Sequence, residues 1–288
     1  MIVKNVRNIC VIGAGNMGHQ IAIQAALSGF KAKCTDINQS TLTAAREFAE
    51  KWLNERVSKG KITPELAAAT RQRLLFTPDL EEAAGDADLV IEAIIEILEA
   101  KRDLFSRLDT ICPPHTIFAT NSSFIVSSKI ADVTNRPDKF LNMHYFNPAL
   151  VMKLVEVVKG PHVSEETVET VMGVCQALGK VPVRVNKEIY GFIVNRIFSA
   201  MTKEACYLLD QEVANVEDID LAVKNGLGHP MGPFQVLDLT GIDLEYNILM
   251  ERYRTTGDLG DKPSPAIVKR YALQHYGKKT KRGFYEYN

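Results

Sequence analysis

The sequence predicts a doubly wound α/β domain followed by an all-helical one, and three observations carry that expectation. Apolar runs of strand length alternate with helical patterns through much of the chain, as in a parallel sheet covered on both faces. The first such run passes straight into a glycine-rich turn, Gly13-Ala14-Gly15-Asn16-Met17-Gly18. From residue 187 onward the β signal stops and only helical spacing remains. That change divides the chain into domains 1–187 and 188–288.

Composition narrows the class. With 288 residues, 46% of them hydrophobic and 24% charged, the chain can bury the cores of two ordinary globular domains. A net charge of −1 supplies no field to gather nucleic acid or a membrane surface. The five cysteines (Cys10, Cys34, Cys112, Cys175, Cys206) lack Cys-x-x-Cys spacing and read as buried free thiols, implying neither zinc nor disulfides. The N-terminus runs directly into a strand and no apolar run approaches ~20 residues. No signal peptide or membrane span is expected, and a cytoplasmic location is.

The run Arg7 to Ile12 is a strand buried on both faces, and Met17, Ile21 and Ala25 then recur at helical spacing until Ser28-Gly29. A second strand, Lys31 to Thr35, ends at Asp36. A glycine-rich turn between strand and helix, with an acid closing the next strand, is the fingerprint of dinucleotide binding. Gly13 permits the tight turn, Gly15 lets backbone approach a pyrophosphate, and Gly18 lets the helix pack on the strand. Unpaired N–H groups at the helix start face the phosphates. Asp36 accepts hydrogen bonds from the adenosine ribose and repels a 2′-phosphate, while Ile37-Asn38 offers no cation to hold one. NAD rather than NADP is expected.

Leu42, Ala45, Ala49, Trp52, Leu53 and Val57 line one face of a helix over 40–58. Lys59 and Lys61 follow it; composition alone makes them a solvated helix end. Thr63-Pro64-Glu65 opens another helix, Leu74 to Thr77 is a third strand, and Asp79 to Ala84 a short helix. The strand Asp88 to Ile94 precedes Glu96 and a helix holding Leu104, Phe105 and Leu108. Thr116 to Thr120 runs into Asn121-Ser122-Ser123, which suits a helix cap and equally a binding site at the carboxyl edge of the sheet.

Met143-His144-Tyr145-Phe146-Asn147-Pro148 follows an apolar run, and Val151 to Val158 is a β-branched run with Glu156 inside it. Two strands joined by the Asn-Pro turn bring Glu156 beside His144. A carboxylate so placed fixes the tautomer of an imidazole and raises its basicity, as a general base requires. A structural ion pair in a core fits these residues as well. Ser164-Glu165-Glu166 caps a helix that stops at Gly179, and Val181 to Val185 is the last strand, with Pro182 marking an edge. A helix follows from near Gly191; Asn195, among Ile193, Val194, Ile197 and Phe198, is a structural hydrogen bonder or a substrate contact. Further helices follow Val216-Glu217-Asp218 and Pro233.

Taken together, these residues resemble the L-3-hydroxyacyl-CoA dehydrogenase family, including bacterial 3-hydroxybutyryl-CoA dehydrogenases, along essentially the whole chain. The matching stretches are Val11 to Gly18, Asp88 to Ala93, Arg136 to Lys139, Met143 to Pro148, Met152 to Glu156 and Gly191 to Arg196. Glu217 to Asp220, His229 to Pro233 and Gly283 to Tyr285 continue the likeness in the helical part. The resemblance implies a Rossmann-type NAD domain with a helical hairpin inserted, then a dimerisation domain, and a place in fatty acid metabolism such as β-oxidation. It implies that His144 takes the 3-hydroxyl proton, that Glu156 orients it, and that Ser123 and Asn195 hydrogen-bond the reacting region of an acyl-CoA substrate. Asn16, Met17, Glu96, Lys101, Asn147 and Lys279 fall at cofactor positions, and Lys59 and Lys61 where coenzyme A phosphates are met.

Three departures stand out from the family pattern. Phe124 occupies the place of a second serine and adds bulk beside Ser123, which bears on acyl preference. Tyr190 replaces a proline, and Lys281 a glycine. A short-chain, 3-hydroxybutyryl-CoA-like substrate and a homodimer are expected. The competing readings are a dehydrogenase of a small hydroxy acid lacking CoA, and a dinucleotide-binding protein without catalysis.

Overall fold

A computed structural model of the chain describes residues 6–288. It divides into two compact units, the first ending at Ile193 and the second spanning Val194–Asn288. The sequence places the change nearer residue 187. The difference lies in Phe192, which is buried with Val158 and Val185 and so belongs to the first unit. Gly191 and Phe192 both adopt left-handed backbone (φ 75° and 47°), which no right-handed helix can include. The helix expected from Gly191 therefore begins at Val194.

The first unit follows the order β1 (Asn8–Ile12), α1 (Gly18–Leu27), β2 (Lys31–Thr35), α2 (Gln39–Ser58), α3 (Pro64–Arg73), β3 (Leu74–Thr77), α4 (Leu80–Ala84), β4 (Leu89–Glu92), α5 (Leu98–Ile111), β5 (Ile117–Thr120), β6 (Phe140–Tyr145), β7 (Leu154–Val158), α6 (Glu165–Ala177) and β8 (Val181–Val185). Among the described residues, eight strands form one sheet in the order β3-β2-β1-β4-β5-β6-β7-β8. Every pairing is parallel except β6 with β7. Strand alternation feeds two cores. Ile9 and Val11 pack on one face with Ile21, Leu42, Leu141 and Met143. Cys10 and Ile12 pack on the other with Val90, Phe105, Phe118 and Phe140. The chain order reverses between β1 and β4, so the loops leaving these strands border the crevice where such sheets bind ligands.

Local chemistry explains the helix ends. Asn38, Thr63, Asp79 and Ser164 each accept an N–H from the first turn of the helix that follows, and Pro64 opens α3 where its missing N–H costs nothing. Arg71 of α3 reaches Glu50 and Asn54 of α2 at 2.8 Å, fastening the two helices into a hairpin. At the far edge of the sheet, β8 leaves Val181 and Val183 exposed on either side of Pro182.

The second unit contains α7 (Val194–Asp210), α8 (Val216–Leu227), α9 (Pro233–Thr240), α10 (Ile242–Thr256) and α11 (Pro265–Ala272) around Cys206, Ile219, Phe234, Leu237, Ile242, Ile267 and Phe284. Sequence reasoning places no helix at α10 or α11. Beyond Ile242 the described residues of α10 are at most half-buried, so its apolar stripe is weak. Two buried carboxylates tie the unit together. Asp220 accepts the N–H groups of Phe234 and Gln235 at the start of α9, and Asp238 accepts those of Phe284 and Tyr285.

All five cysteines are free and buried, and burial pushes the thiols of Cys112 and Cys175 up to about 12. No helix among the described residues is long and apolar enough to cross a membrane. Lys281 has φ 58° and ψ 9°, a left-handed conformation in which a side chain is strained by about 1–2 kcal/mol. Lys281→Gly is expected to gain about 1 kcal/mol of stability, after allowing for the greater freedom of glycine in the unfolded chain. A thermal melt checks this; an unchanged or lower Tm would count against it.

Candidate active site

β6 and β7 run antiparallel with His144 directly opposite Glu156. Residues so paired project to the same face of a sheet, so the register by itself brings imidazole and carboxylate together. His144 Nδ1–H donates to Glu156 Oε2 at 2.8 Å, and both side chains are buried. With its Nδ1 proton facing a carboxylate, the neutral ring keeps its lone pair on Nε2. Ser123 Oγ–H donates to that lone pair from 2.9 Å. The N–H of Ile193 donates to Glu156 Oε1 at 3.0 Å, so both carboxylate oxygens are engaged. The rings of Phe146 and Phe192, 4.7 and 5.4 Å from the imidazole by centroid, limit the water around it.

The turn holding Ser123 is closed by its neighbours. Ser122 Oγ accepts the N–H groups of Phe124 and Ile125 and donates to Glu96. Asn121 Oδ1 accepts the N–H of Tyr145, which ties the turn to β6. No helix starts at Asn121-Ser122-Ser123, contrary to the cap expectation. These side chains bond within the turn, and the chain continues to a short 3₁₀ segment at Ser127–Lys129. Asn142, buried on the same strand face as His144, donates to the carbonyls of Ser122 and Ile125 and accepts the N–H of Ser127. It braces the turn from beneath, and sequence reasoning passes over it.

At the crevice, Gly13 has φ 95°, and a Cβ there would lie 2.5 Å from the carbonyl oxygen of Ala93. A Cβ on Gly18 would lie 1.7 Å from the carbonyl oxygen of Gly13, so α1 abuts the turn only because residue 18 has no side chain. A Cβ on Gly15 would meet nothing within 4 Å, which leaves the backbone open on the side a pyrophosphate would approach. Asp36 is aimed by the N–H groups of Ala14 (2.8 Å) and Asn38 (2.9 Å) at the end of β2. Asn16 Nδ2 donates to Asn147 Oδ1 at 3.2 Å, linking the glycine turn to the loop after β6. These residues fit a dinucleotide: open backbone, a helix start, and a carboxylate at the end of the neighbouring strand.

Lys101 is less exposed than a cofactor contact would suggest. Its side chain is 1% exposed, and the ammonium pairs with Glu92 at 2.6 Å and Glu96 at 3.2 Å. Glu92 also accepts from the N–H of Ile94 and from Thr120 Oγ1, both at 2.7 Å. Glu92 ends β4 and reads in sequence as one more residue of an apolar strand, so only the fold reveals it as the counter-charge. Glu96, Lys101, Asn16, Met17, Ser123 and Phe124 border one cavity of about 330 Å³.

The remaining candidates stand on the α2–α3 hairpin and in the second unit. Lys59 and Lys61 are exposed at the tip between α2 and α3, with Lys59 3.5 Å from Glu55. Asn195 stands on the first turn of α7 and is half-buried rather than enclosed, and Lys279 pairs with Asp243 at 2.5 Å; both belong to the second unit. Among the described residues no group of His, Cys, Asp and Glu is suited to a metal ion.

Two family models match the chain: 3-hydroxyacyl-CoA dehydrogenase, NAD binding domain, over residues 8–189, and 3-hydroxyacyl-CoA dehydrogenase, C-terminal domain, over residues 191–287. The chain is 42% identical over 282 residues to the probable 3-hydroxybutyryl-CoA dehydrogenase of Bacillus subtilis, covering 98% of each. It is 39% identical over 289 residues to the mitochondrial hydroxyacyl-coenzyme A dehydrogenase of Homo sapiens, covering 98% of this chain and 91% of that protein. Among solved structures, it matches (S)-3-hydroxybutyryl-CoA dehydrogenase from Ralstonia eutropha with a TM-score of 0.91 at 33% identity, covering 98% of this chain and 99% of that one.

Proposed function

Because the chain belongs to the 3-hydroxyacyl-CoA dehydrogenase family and carries its NAD-binding domain, we propose that it interconverts short-chain (S)-3-hydroxyacyl-CoA and 3-oxoacyl-CoA. 3-Hydroxybutyryl-CoA is the reference substrate, and His144 with Glu156 is the base. The observation that supports this most is the run of hydrogen bonds from Ser123 through His144 to Glu156, beside the cavity at the strand ends.

NAD, when bound, supplies the nicotinamide that accepts the hydride from C3. His144 Nε2 takes the proton of the 3-hydroxyl as C3 becomes a carbonyl, and returns it in the reverse direction. Glu156 compensates the imidazolium that results, and it is already held by two donors. Ser123 Oγ–H, now donating to Nε2, turns to hydrogen-bond the substrate oxygen. Asn195 is assigned to substrate, and Lys279 to cofactor, on family likeness alone. Lys101 acts through Glu96, which it holds toward the cavity.

A serine, a histidine and a carboxylate in line also describe a nucleophilic hydrolase. Against that reading, the N–H groups of Phe124 and Ile125, which follow Ser123, both donate to Ser122 Oγ and are not free to hold a tetrahedral oxyanion. The test is NADH absorbance on mixing the protein with NAD and 3-hydroxybutyryl-CoA, and then with free 3-hydroxybutyrate. Turnover of the thioester alone is expected. Preference for the free acid would favour a small hydroxy acid dehydrogenase, and silence on both a binding protein without catalysis.

Preference for NAD over NADP rests on Asp36, which is fixed by two N–H groups and has no cation at Ile37-Asn38. Asp36→Ala is expected to lower kcat/KM for NAD about tenfold or more while sparing NADP, which narrows the gap between them. Equal efficiency of the unaltered protein with both cofactors would refute this role. Lys59 and Lys61 serve the phosphates of coenzyme A in this reading, as exposed and salt-screened contacts. A homodimer is proposed from the second unit, which leaves Tyr207, Leu221, Leu227, Leu239 and Leu244 exposed. Sedimentation at micromolar concentration is expected to give a dimer, and a monomer alone would rule it out.

A further inference from the structure

Phe124 and Tyr190 are 66 positions apart in sequence (190 minus 124) and meet in the fold. Their rings stack with centroids 4.6 Å apart and planes at 27°. Phe124 borders the cavity immediately after Ser123. Tyr190 lies on the segment that leaves β8, and that segment is fastened at a second point to the 3₁₀ segment that follows the Ser123 turn. Glu188 accepts Ser127 Oγ–H at 2.8 Å and the N–H of Ser128 at 2.9 Å. It is fastened a third time by Phe192, which is buried against Val158 and Val185. Tyr190 therefore stands on a backbone held on both sides, and its ring, 37% exposed, offers one face for the Phe124 ring to rest on.

We infer that Tyr190 is a specificity-determining residue, which holds the Phe124 ring in place and thereby sets the room for the acyl group beside Ser123. The inference rests on the dehydrogenase reading above. An unsupported phenylalanine at a cavity rim changes rotamer to admit a longer chain; a ring stacked on a fixed partner loses that contact when it swings. The bulk of Phe124 discriminates only while the ring stays put, so the discrimination belongs to the pair. Acyl groups of about four carbons fit beside the braced ring, and longer ones must displace it.

The experiment is kcat/KM for a series of 3-hydroxyacyl-CoA substrates from C4 to C10, in the unaltered protein, Tyr190→Ala, Tyr190→Phe, Phe124→Ser and the Tyr190→Ala/Phe124→Ser pair. The readout is the ratio of C8 to C4, which does not depend on the fraction of each preparation that folds. Tyr190→Ala is expected to raise the ratio about 5–10-fold, and Phe124→Ser at least as much, since one methylene of misfit alone is worth about 10-fold or more. The double variant is expected to match Phe124→Ser, because a serine leaves Tyr190 nothing to hold. Tyr190→Phe keeps the stack and is expected to keep the original ratio. If Phe124→Ser raised the ratio and Tyr190→Ala did not, the role of Tyr190 would be wrong while the dehydrogenase reading stood. A ratio that none of the variants moves would remove both rings from the acyl site. No turnover of any thioester by the unaltered protein would overturn the inference together with the reading beneath it.

Discussion

Replacing His144 by glutamine is expected to lower kcat for 3-hydroxybutyryl-CoA oxidation by about 10²–10⁴-fold. Glutamine keeps a hydrogen-bonding side chain in the space between Ser123 and Glu156, but no atom of it can accept and retain a proton near neutral pH. The loss belongs in kcat, because a base acts only in the transition state. Affinity for NAD, measured by fluorescence titration, is expected to stay within about twofold, since Gly13 and Gly15 lie in the turn after β1, Gly18 opens α1 and Asp36 follows β2, all away from strands β6 and β7 that carry His144 and Glu156. A variant that retained most of its turnover would exclude His144 as the base.

Glu92→Ala is expected to cost about 3–5 kcal/mol of stability, because it leaves the Lys101 ammonium buried without its nearest counter-charge. The same substitution orphans the N–H of Ile94 and the hydroxyl of Thr120. Urea unfolding followed by circular dichroism measures the loss. Lys101→Met in the same chain is expected to restore part of it, since removing both charges avoids the desolvated one. A Glu92→Ala variant within about 1 kcal/mol of the unaltered protein would mean that the pair is not a structural anchor.

What sequence reasoning reaches here is what period and adjacency encode. The run Asn8–Ile12 into Gly13 announces a strand, a turn and a helix in consecutive residues, so the dinucleotide crevice is legible. The hairpin that sets His144 opposite Glu156 is legible too, because the Asn147-Pro148 turn and two apolar runs fix which strands are neighbours. The network of Glu92, Lys101 and Thr120 is not. It joins three separate elements, and each residue taken alone passes for a strand residue, a helix surface or a strand end. Asn142 is hidden in the same way, as a polar residue inside an apolar strand whose partners lie at positions 122, 125 and 127. The start of α7 is missed for a backbone reason, since nothing in the sequence marks Phe192 as left-handed. The contact of Phe124 with Tyr190 depends on where the segment after β8 returns, which only the fold decides.

In the proposed mechanism His144 and Glu156 form one catalytic unit, joined through Nδ1 and Oε2 at 2.8 Å. The most direct measurement is kcat for oxidation of 3-hydroxybutyryl-CoA by His144→Gln, Glu156→Gln and the double variant. Residues that act as a unit are disabled together, so the double variant is predicted to be no slower than the slower single one by more than about threefold. A double variant whose loss equalled the product of the two single losses would show His144 and Glu156 working separately, and would contradict the account.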